Sequence, residues 1–143
     1  MLHDAKVRLI AMTTILIADD HSFYRAQLRT LLESVQNWQV CAEAVSGIEA
    51  VEMHSYFEPD ITVMDFNMPE VNGLLASREI LRKSPAANIL MLTVFASSQL
   101  AARAKREGIK AFCSKTEMPC IILAIEALLR GQTYFPESFA ASA

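Results

Sequence analysis

Five polar side chains stand where short apolar runs stop, and as a set they could handle a phosphoryl group. Thr14-Ile-Leu-Ile-Ala18 runs into Asp19-Asp20, and Asp60-Ile-Thr-Val-Met64 runs into Asp65. The run from Asn88 ends on Thr93, and the run from Lys110 to Ser114 ends against Lys115. Three carboxylates brought within a few ångströms repel one another, and one must hold a proton unless a cation sits among them. Hard oxygen ligands without paired His or neighbouring Cys favour Mg²⁺ or Mn²⁺. With two acids on the cation, the third can act as a nucleophile, as aspartate does where an aspartyl phosphate forms. Thr93 offers a hydroxyl donor and Lys115 a cation for phosphate oxygens. Taken singly, a strand-end Asp is usually a helix cap and a Lys is usually solvated. The reading rests on the five together.

Those residues need a scaffold that gathers their ends. Thr14–Ala18 is a short apolar run of the kind a buried parallel strand shows. Leu28, Leu31, Leu32 and Val35 recur at helical spacing, which predicts a helix over Phe23 to Ser34. Gln39 to Val45 reads as a second strand. The next helix covers Gly47 to Phe57 and stops before Pro59, since proline disfavours helical geometry in its predecessor. The third strand, Asp60–Met64, leads into a loop from Met68 to Gly73 with an Asn-Gly turn signal. Leu74 to Lys83 is a helix and Asn88 to Thr93 a fourth strand. Ser97 is an N-cap for a helix closing at Gly108. After a fifth strand at Lys110–Ser114, Thr116 caps a last helix with Pro119 in its first turn, ending at Gly131.

Five strand–helix units in strict alternation imply an α/β fold with a parallel sheet and helices on both faces. In such sheets a site forms at the carboxyl ends of the strands. All the polar residues singled out lie on that rim.

On these residues the chain resembles the bacterial response-regulator receiver domain. Ile15-Leu-Ile-Ala-Asp-Asp-His-Ser-Phe-Tyr-Arg25, Pro59-Asp-Ile-Thr-Val-Met-Asp-Phe-Asn-Met-Pro69, Asn72-Gly73, Met91-Leu-Thr-Val94 and Phe112-Cys-Ser-Lys115 match its pattern in order and spacing. The Asp-Asp-His-x-x-x-Arg opening, the Leu-Thr-Val strand and Gly131-Gln-Thr-Tyr-Phe-Pro136 are most similar to the NarL/FixJ-type subgroup of two-component regulators. The resemblance spans about Thr14 to Phe135 and implies a flavodoxin-like five-stranded parallel sheet of order 2-1-3-4-5. It implies Asp65 as phosphoacceptor, Asp20 as a direct Mg²⁺ ligand, Asp19 as a ligand through water, and the Asn67 backbone carbonyl as a further ligand beside Asp65. Lys115 would hold a phosphate oxygen. Thr93 would swing toward the phosphoryl group, and Phe112 would rotate inward behind it. The phosphodonor would be a sensor histidine kinase.

Four positions depart from the family's habits. Thr116 stands where proline often follows the lysine, which leaves the form of that loop open because non-proline cis bonds are rare. Asn72 precedes the loop glycine where Asp is common, so the turn is kept and a charge lost. Val94 follows the threonine where smaller residues are frequent, which could restrict phosphodonors. Asn67 is a polar neighbour for hydrolytic water. His21, beside the acid pair, is expected to cap the first helix or contact a neighbour rather than bind metal.

Composition bounds the rest. The chain has 143 residues, 52% of them hydrophobic, with sixteen acids against thirteen Lys and Arg. That length suits one domain with its own core and excludes two full ones, and the apolar content excludes a disordered chain. A pI near 5.6 and a mean hydropathy of +0.25 argue against direct nucleic-acid contact from this domain. Setting the three rim acids aside leaves thirteen acids against thirteen bases, Lys115 included, so the net charge of −3 equals that of those three acids. The longest uncharged apolar stretch, Leu9 to Ala18, is half the length of a membrane span and lacks a signal cleavage site, so a cytoplasmic protein is expected. Cys41, Cys113 and Cys120 are odd in number without a C-x-x-C spacing and read as reduced, mostly buried thiols.

The expected organisation is an N-terminal extension at 1–13, the phosphoacceptor domain at 14–131, and a C-terminal tail or linker start at 132–143. A helix-turn-helix module does not fit in that tail. The chain is either a stand-alone receiver, the slightly preferred reading, or the receiver part of a transcription regulator. The helix after Ser97 has Leu100 as its only large apolar residue and should shift easily. The last helix has more Ile and Leu than one buried stripe needs. These two helices with the strand between them are expected to form the face for a protein partner or homodimer. Two other functions fit the residues less well. A haloacid-dehalogenase-like phosphohydrolase would need an Asp-x-Asp pair after the first strand and room for a cap domain. A non-phosphorylated pseudo-receiver scaffold fits poorly with an intact acid set.

Overall fold

Strict alternation along β1 sends Ile15 and Ile17 to one face of the sheet and Leu16 and Ala18 to the other, and all four are buried. A computed structural model of the chain describes residues 11–137. Its elements run β1 (Thr13–Ala18), α1 (Ser22–Glu33), β2 (Trp38–Ala44), α2 (Gly47–Phe57), β3 (Ile61–Asp65), α3 (Gly73–Lys83), β4 (Ile89–Thr93), α4 (Ser98–Arg106), β5 (Ala111–Ser114) and α5 (Met118–Leu129). The strands form one sheet in the order β2-β1-β3-β4-β5, every neighbouring pair parallel. This is the expected flavodoxin-like arrangement.

The two faces of the sheet make two cores. One joins Ile15, Ile17, Val63, Leu90 and Leu92 to Leu28 and Leu32 of α1 and to Ile121, Ile125 and Leu128 of α5. The other joins Leu16, Met64, Met91 and Phe112 to Ala50 of α2, Leu74 and Ile80 of α3, and Ala101 and Ala104 of α4. With helices covering both faces, the acids, Thr93 and Lys115 stand at the carboxyl ends of the strands. Ser97 caps α4 as expected, its hydroxyl accepting the Leu100 N–H. The loosely packed α4 buries only Ala101 and Ala104, and an Arg78–Glu107 ion pair ties its end to α3.

Three expectations need correction. Thr116 does not cap α5: its hydroxyl pairs with Ser114 Oγ at 2.8 Å, and Glu117 holds the cap position without a side-chain bond. Asn72, not the loop alone, starts α3, because its side chain accepts the Leu75 N–H at 2.9 Å and Gly73 is already helical. Cys113 and Cys120 are not separate thiols. They form a disulfide between β5 and the first turn of α5, with Cα atoms 6.2 Å apart, and Cys41 alone is free. A strand, a tight turn and a helix start bring positions seven apart together, which cysteine counting does not anticipate.

Beyond α5, Tyr134 bridges Ala111 in parallel, with the Phe112 N–H donating to the Tyr134 carbonyl and the Tyr134 N–H to the Lys110 carbonyl. Phe135 lies under Lys105 of α4, 5.5 Å from ring centroid to Nζ. Of the expected extension at 1–13 and tail at 132–143, residues 1–10 and 138–143 lie outside the described residues.

Candidate functional site

The rim at the carboxyl ends of β1, β3, β4 and β5 holds the expected residues. Asp19 follows β1, pinned by its N–H to the Ala44 carbonyl, and is almost fully buried. Its Oδ1 accepts the His21 N–H at 2.8 Å and its Oδ2 accepts Lys115 Nζ at 2.6 Å. Arg25, one turn into α1, donates to the Asp19 carbonyl at 2.8 Å and to Glu43 Oε1 at 2.8 Å, which locks the turn after β1 to the end of β2. Asp20 is the more exposed of the pair.

Asp65 closes β3 and is buried. Its Oδ1 accepts the Asn67 N–H at 3.3 Å, while Oδ2 has no hydrogen-bond partner and lies 3.6 Å from Lys115 Nζ. Burial pushes the Asp65 carboxyl up to about 6, with the Asp19 charge adding to the rise and Lys115 opposing it. Gly73 makes this placement feasible. A Cβ there would stand 2.1 Å from the Asp65 carbonyl oxygen, so only glycine lets the start of α3 pass so close.

Ligating atoms of Asp19, Asp20, His21 and Asp65 all lie within 4.8 Å of one another. His21 Nδ1 sits 3.1 Å from Asp20 and 3.2 Å from Asp19, so it contacts its neighbours, and it occupies the α1 cap position without a side-chain cap bond. One buried cation, Lys115, faces two buried carboxylates and a third beside them. The negative excess and the unpartnered Asp65 oxygen fit a divalent cation with oxygen ligands. Space for a phosphoryl group adjoins them, a pocket of about 480 Å³ lined by residues including Phe23, Tyr24, Asn67, Val94 and Thr116.

Thr93 ends β4 fully buried, and its hydroxyl accepts the Phe95 N–H at 3.1 Å. Its carbonyl accepts the Lys115 N–H at 3.0 Å. Phe112 of β5 is fully buried in the core shared with α2, α3 and α4. Val94 is half exposed at the pocket wall, and every described peptide is trans, including the one after Lys115.

Tyr24 was not anticipated. Its ring covers Lys115 Nζ at 4.2 Å and its hydroxyl donates to the Lys115 carbonyl at 3.1 Å. Nothing local signals a contact 91 residues away in sequence. Arg25 and the packing role of Gly73 were likewise visible only as letters in a motif.

Residues 15–126 match the response regulator receiver domain family. The response regulator UvrY of Escherichia coli K12 is 34% identical over 130 residues, covering 90% of this chain and 60% of UvrY. The chain therefore spans about three-fifths of that relative. The chemotaxis protein CheY of Thermotoga maritima is 35% identical over 114 residues, covering 80% of this chain and 92% of CheY. A crystal structure of a LuxR family two-component response regulator from Aurantimonas sp. SI85-9A1 superposes with a TM-score of 0.87 at 32% identity, covering 91% of this chain and 94% of that one.

Proposed function

The chain belongs to the response regulator receiver domain family and acts in two-component signalling, and we propose that Asp65 is the residue that accepts the phosphoryl group. The observation that carries this reading is the buried Asp65 Oδ2, without a hydrogen-bond partner and 3.6 Å from Lys115 Nζ. In the reaction, this oxygen forms a bond to phosphorus as the donor's P–N or P–O bond breaks and the donor leaves with that electron pair. A sensor histidine kinase or a small acyl phosphate serves as donor.

Asp19, Asp20, Asp65 and the Asn67 carbonyl would hold Mg²⁺, or Mn²⁺ in its place, and the bound ion neutralises the excess negative charge of acids and phosphate. Lys115 pairs with a phosphoryl oxygen, giving up part of its contact with Asp19. The Thr93 hydroxyl turns from the Phe95 N–H toward the new phosphate, which adds about −1.5 to −2 charges. Phe95 leads into α4 and β4 pairs with β5, so that rearrangement is passed toward α4 and Phe112.

Output then passes through the α4-β5-α5 face, to a protein partner or a second copy. Leu123 and Leu129 of α5 are 53% and 42% exposed, which supports that assignment. The domain would serve either alone or as the receiver part of a helix-turn-helix transcription regulator. Among the described residues no helix is long and apolar enough to cross a membrane.

Incubation with acetyl phosphate and Mg²⁺ followed by intact mass tests the reading. A single added phosphate, absent in Asp65→Ala, is expected. Sustained turnover of external phosphate esters without protein labelling would point instead to a hydrolase.

A further inference from the structure

A buried lysine needs walls. Its ammonium is strongly hydrated in water, and its flexible four-carbon stem leaves many ways to escape toward solvent. Lys115 is only 7% exposed, yet the proline that would stiffen the following turn is absent. Two devices hold that turn. Ser114 and Thr116 pair through their hydroxyls, and Ser114 Oγ also accepts the Thr116 N–H at 3.2 Å.

The second device is Tyr24. One side chain grips Lys115 at both ends: the hydroxyl at the backbone carbonyl, 3.1 Å, and the ring face at the ammonium, 4.2 Å. The hydroxyl also reaches Met118 Sδ at 3.4 Å, so the start of α5 shares the anchor. Burial pushes the phenol pKa up, and the charges of Asp19 and Asp65 push it further, so the group stays a neutral donor. A neutral ring face attracts the ammonium without neutralising it. A carboxylate there would compete with the incoming phosphate.

The geometry points to Tyr24 as the positioning residue for Lys115, holding the ammonium between Asp19 and Asp65 where an incoming phosphoryl oxygen will need it. This rests on Asp65 as phosphoacceptor, and two separate readouts keep the two ideas apart.

The first readout needs no phosphorylation. Reductive methylation of the intact chain, followed by peptide mass mapping, measures how readily Lys115 Nζ is reached. Tyr24→Leu should speed modification of Lys115 by about fivefold or more, the scale of one cation–π contact, with the other lysines unchanged. Tyr24→Phe keeps the ring over the ammonium but loses the bond to the Lys115 carbonyl, so its modification rate should fall between wild type and Tyr24→Leu. Equal protection in wild type and Tyr24→Leu would overturn the proposal, even if Asp65 is phosphorylated as expected.

The second readout is the rate of phosphorylation by acetyl phosphate at saturating Mg²⁺. Tyr24→Leu should slow it by about five- to tenfold, and by less than about twofold when Lys115 is already Met, because residues that act through each other are not additive. An equal loss in both backgrounds would show a general structural role and overturn the proposal. A wild-type chain that takes no phosphate while Lys115 still depends on Tyr24 would remove the receiver reading and leave the positioning in place.

Discussion

Lys115 and Asp19, 96 residues apart in sequence, meet at 2.6 Å between Nζ and Oδ2. Both are buried, so this pair forms in a low-dielectric setting and takes most of what the single ammonium offers. Asp65, 3.6 Å from the same Nζ, is left under-compensated, and its unpartnered oxygen is the consequence.

That imbalance predicts a stability profile. Burial, with the Asp19 charge behind it, raises the folded Asp65 carboxyl from 3.8 to about 6. Between those values the folded state binds more protons than the unfolded state, so stability falls as pH rises through this window and stays lower above it. That rise corresponds to ~3 kcal/mol at most. Asp65→Asn should therefore be more stable than wild type by roughly 2–3 kcal/mol above pH 7 in metal-free buffer. The difference should vanish near pH 4. Urea unfolding across a pH series measures it, and a pH-independent difference would contradict the assigned cause.

Gly73 provides a second prediction. Ala at this position places its Cβ 2.1 Å from the Asp65 carbonyl, closer than any relaxed contact, so the backbone at the end of β3 must move. Gly73→Ala should lose at least ~2 kcal/mol of stability, as overpacked sites do, despite the better helix propensity of alanine. Thermal melts check the stability. A variant as stable as wild type would mean that β3 yields easily at this point.

The cysteine pairing predicts a simple count. Under denaturing, non-reducing conditions only Cys41 should react with an alkylating agent, and all three thiols should react after reduction. Three modifications without reduction would contradict the Cys113–Cys120 bond. Mass spectrometry of the intact chain gives the answer.

Much of this was legible before the fold was known, for a physical reason. Ile15 to Ala18 and Ile89 to Thr93 are buried on both faces of the sheet, so they appear as continuous apolar runs whose ends stand out as acids, threonine and lysine. The parallel arrangement then puts those ends on one rim. Contacts that depend on side-chain direction were not legible. Tyr24 reaches Lys115 only because α1 and the turn after β5 lie on the same side of the sheet. The Ser114–Thr116 hydroxyl pair draws Thr116 away from the cap position, a choice that propensity alone cannot make. Gly73 read as a turn residue, but its φ is not the left-handed one; the lack of a Cβ is what matters there.

The central claim is that phosphate joins the chain at Asp65, and chemical trapping tests it most directly. After treatment with acetyl phosphate and Mg²⁺, borohydride reduction converts an acyl phosphate on aspartate to homoserine, which peptide mass mapping locates. Homoserine at position 65, dependent on both acetyl phosphate and Mg²⁺, is the predicted result. Homoserine at position 19 or 20, or an unmodified Asp65 in a chain that carries phosphate elsewhere, would contradict it.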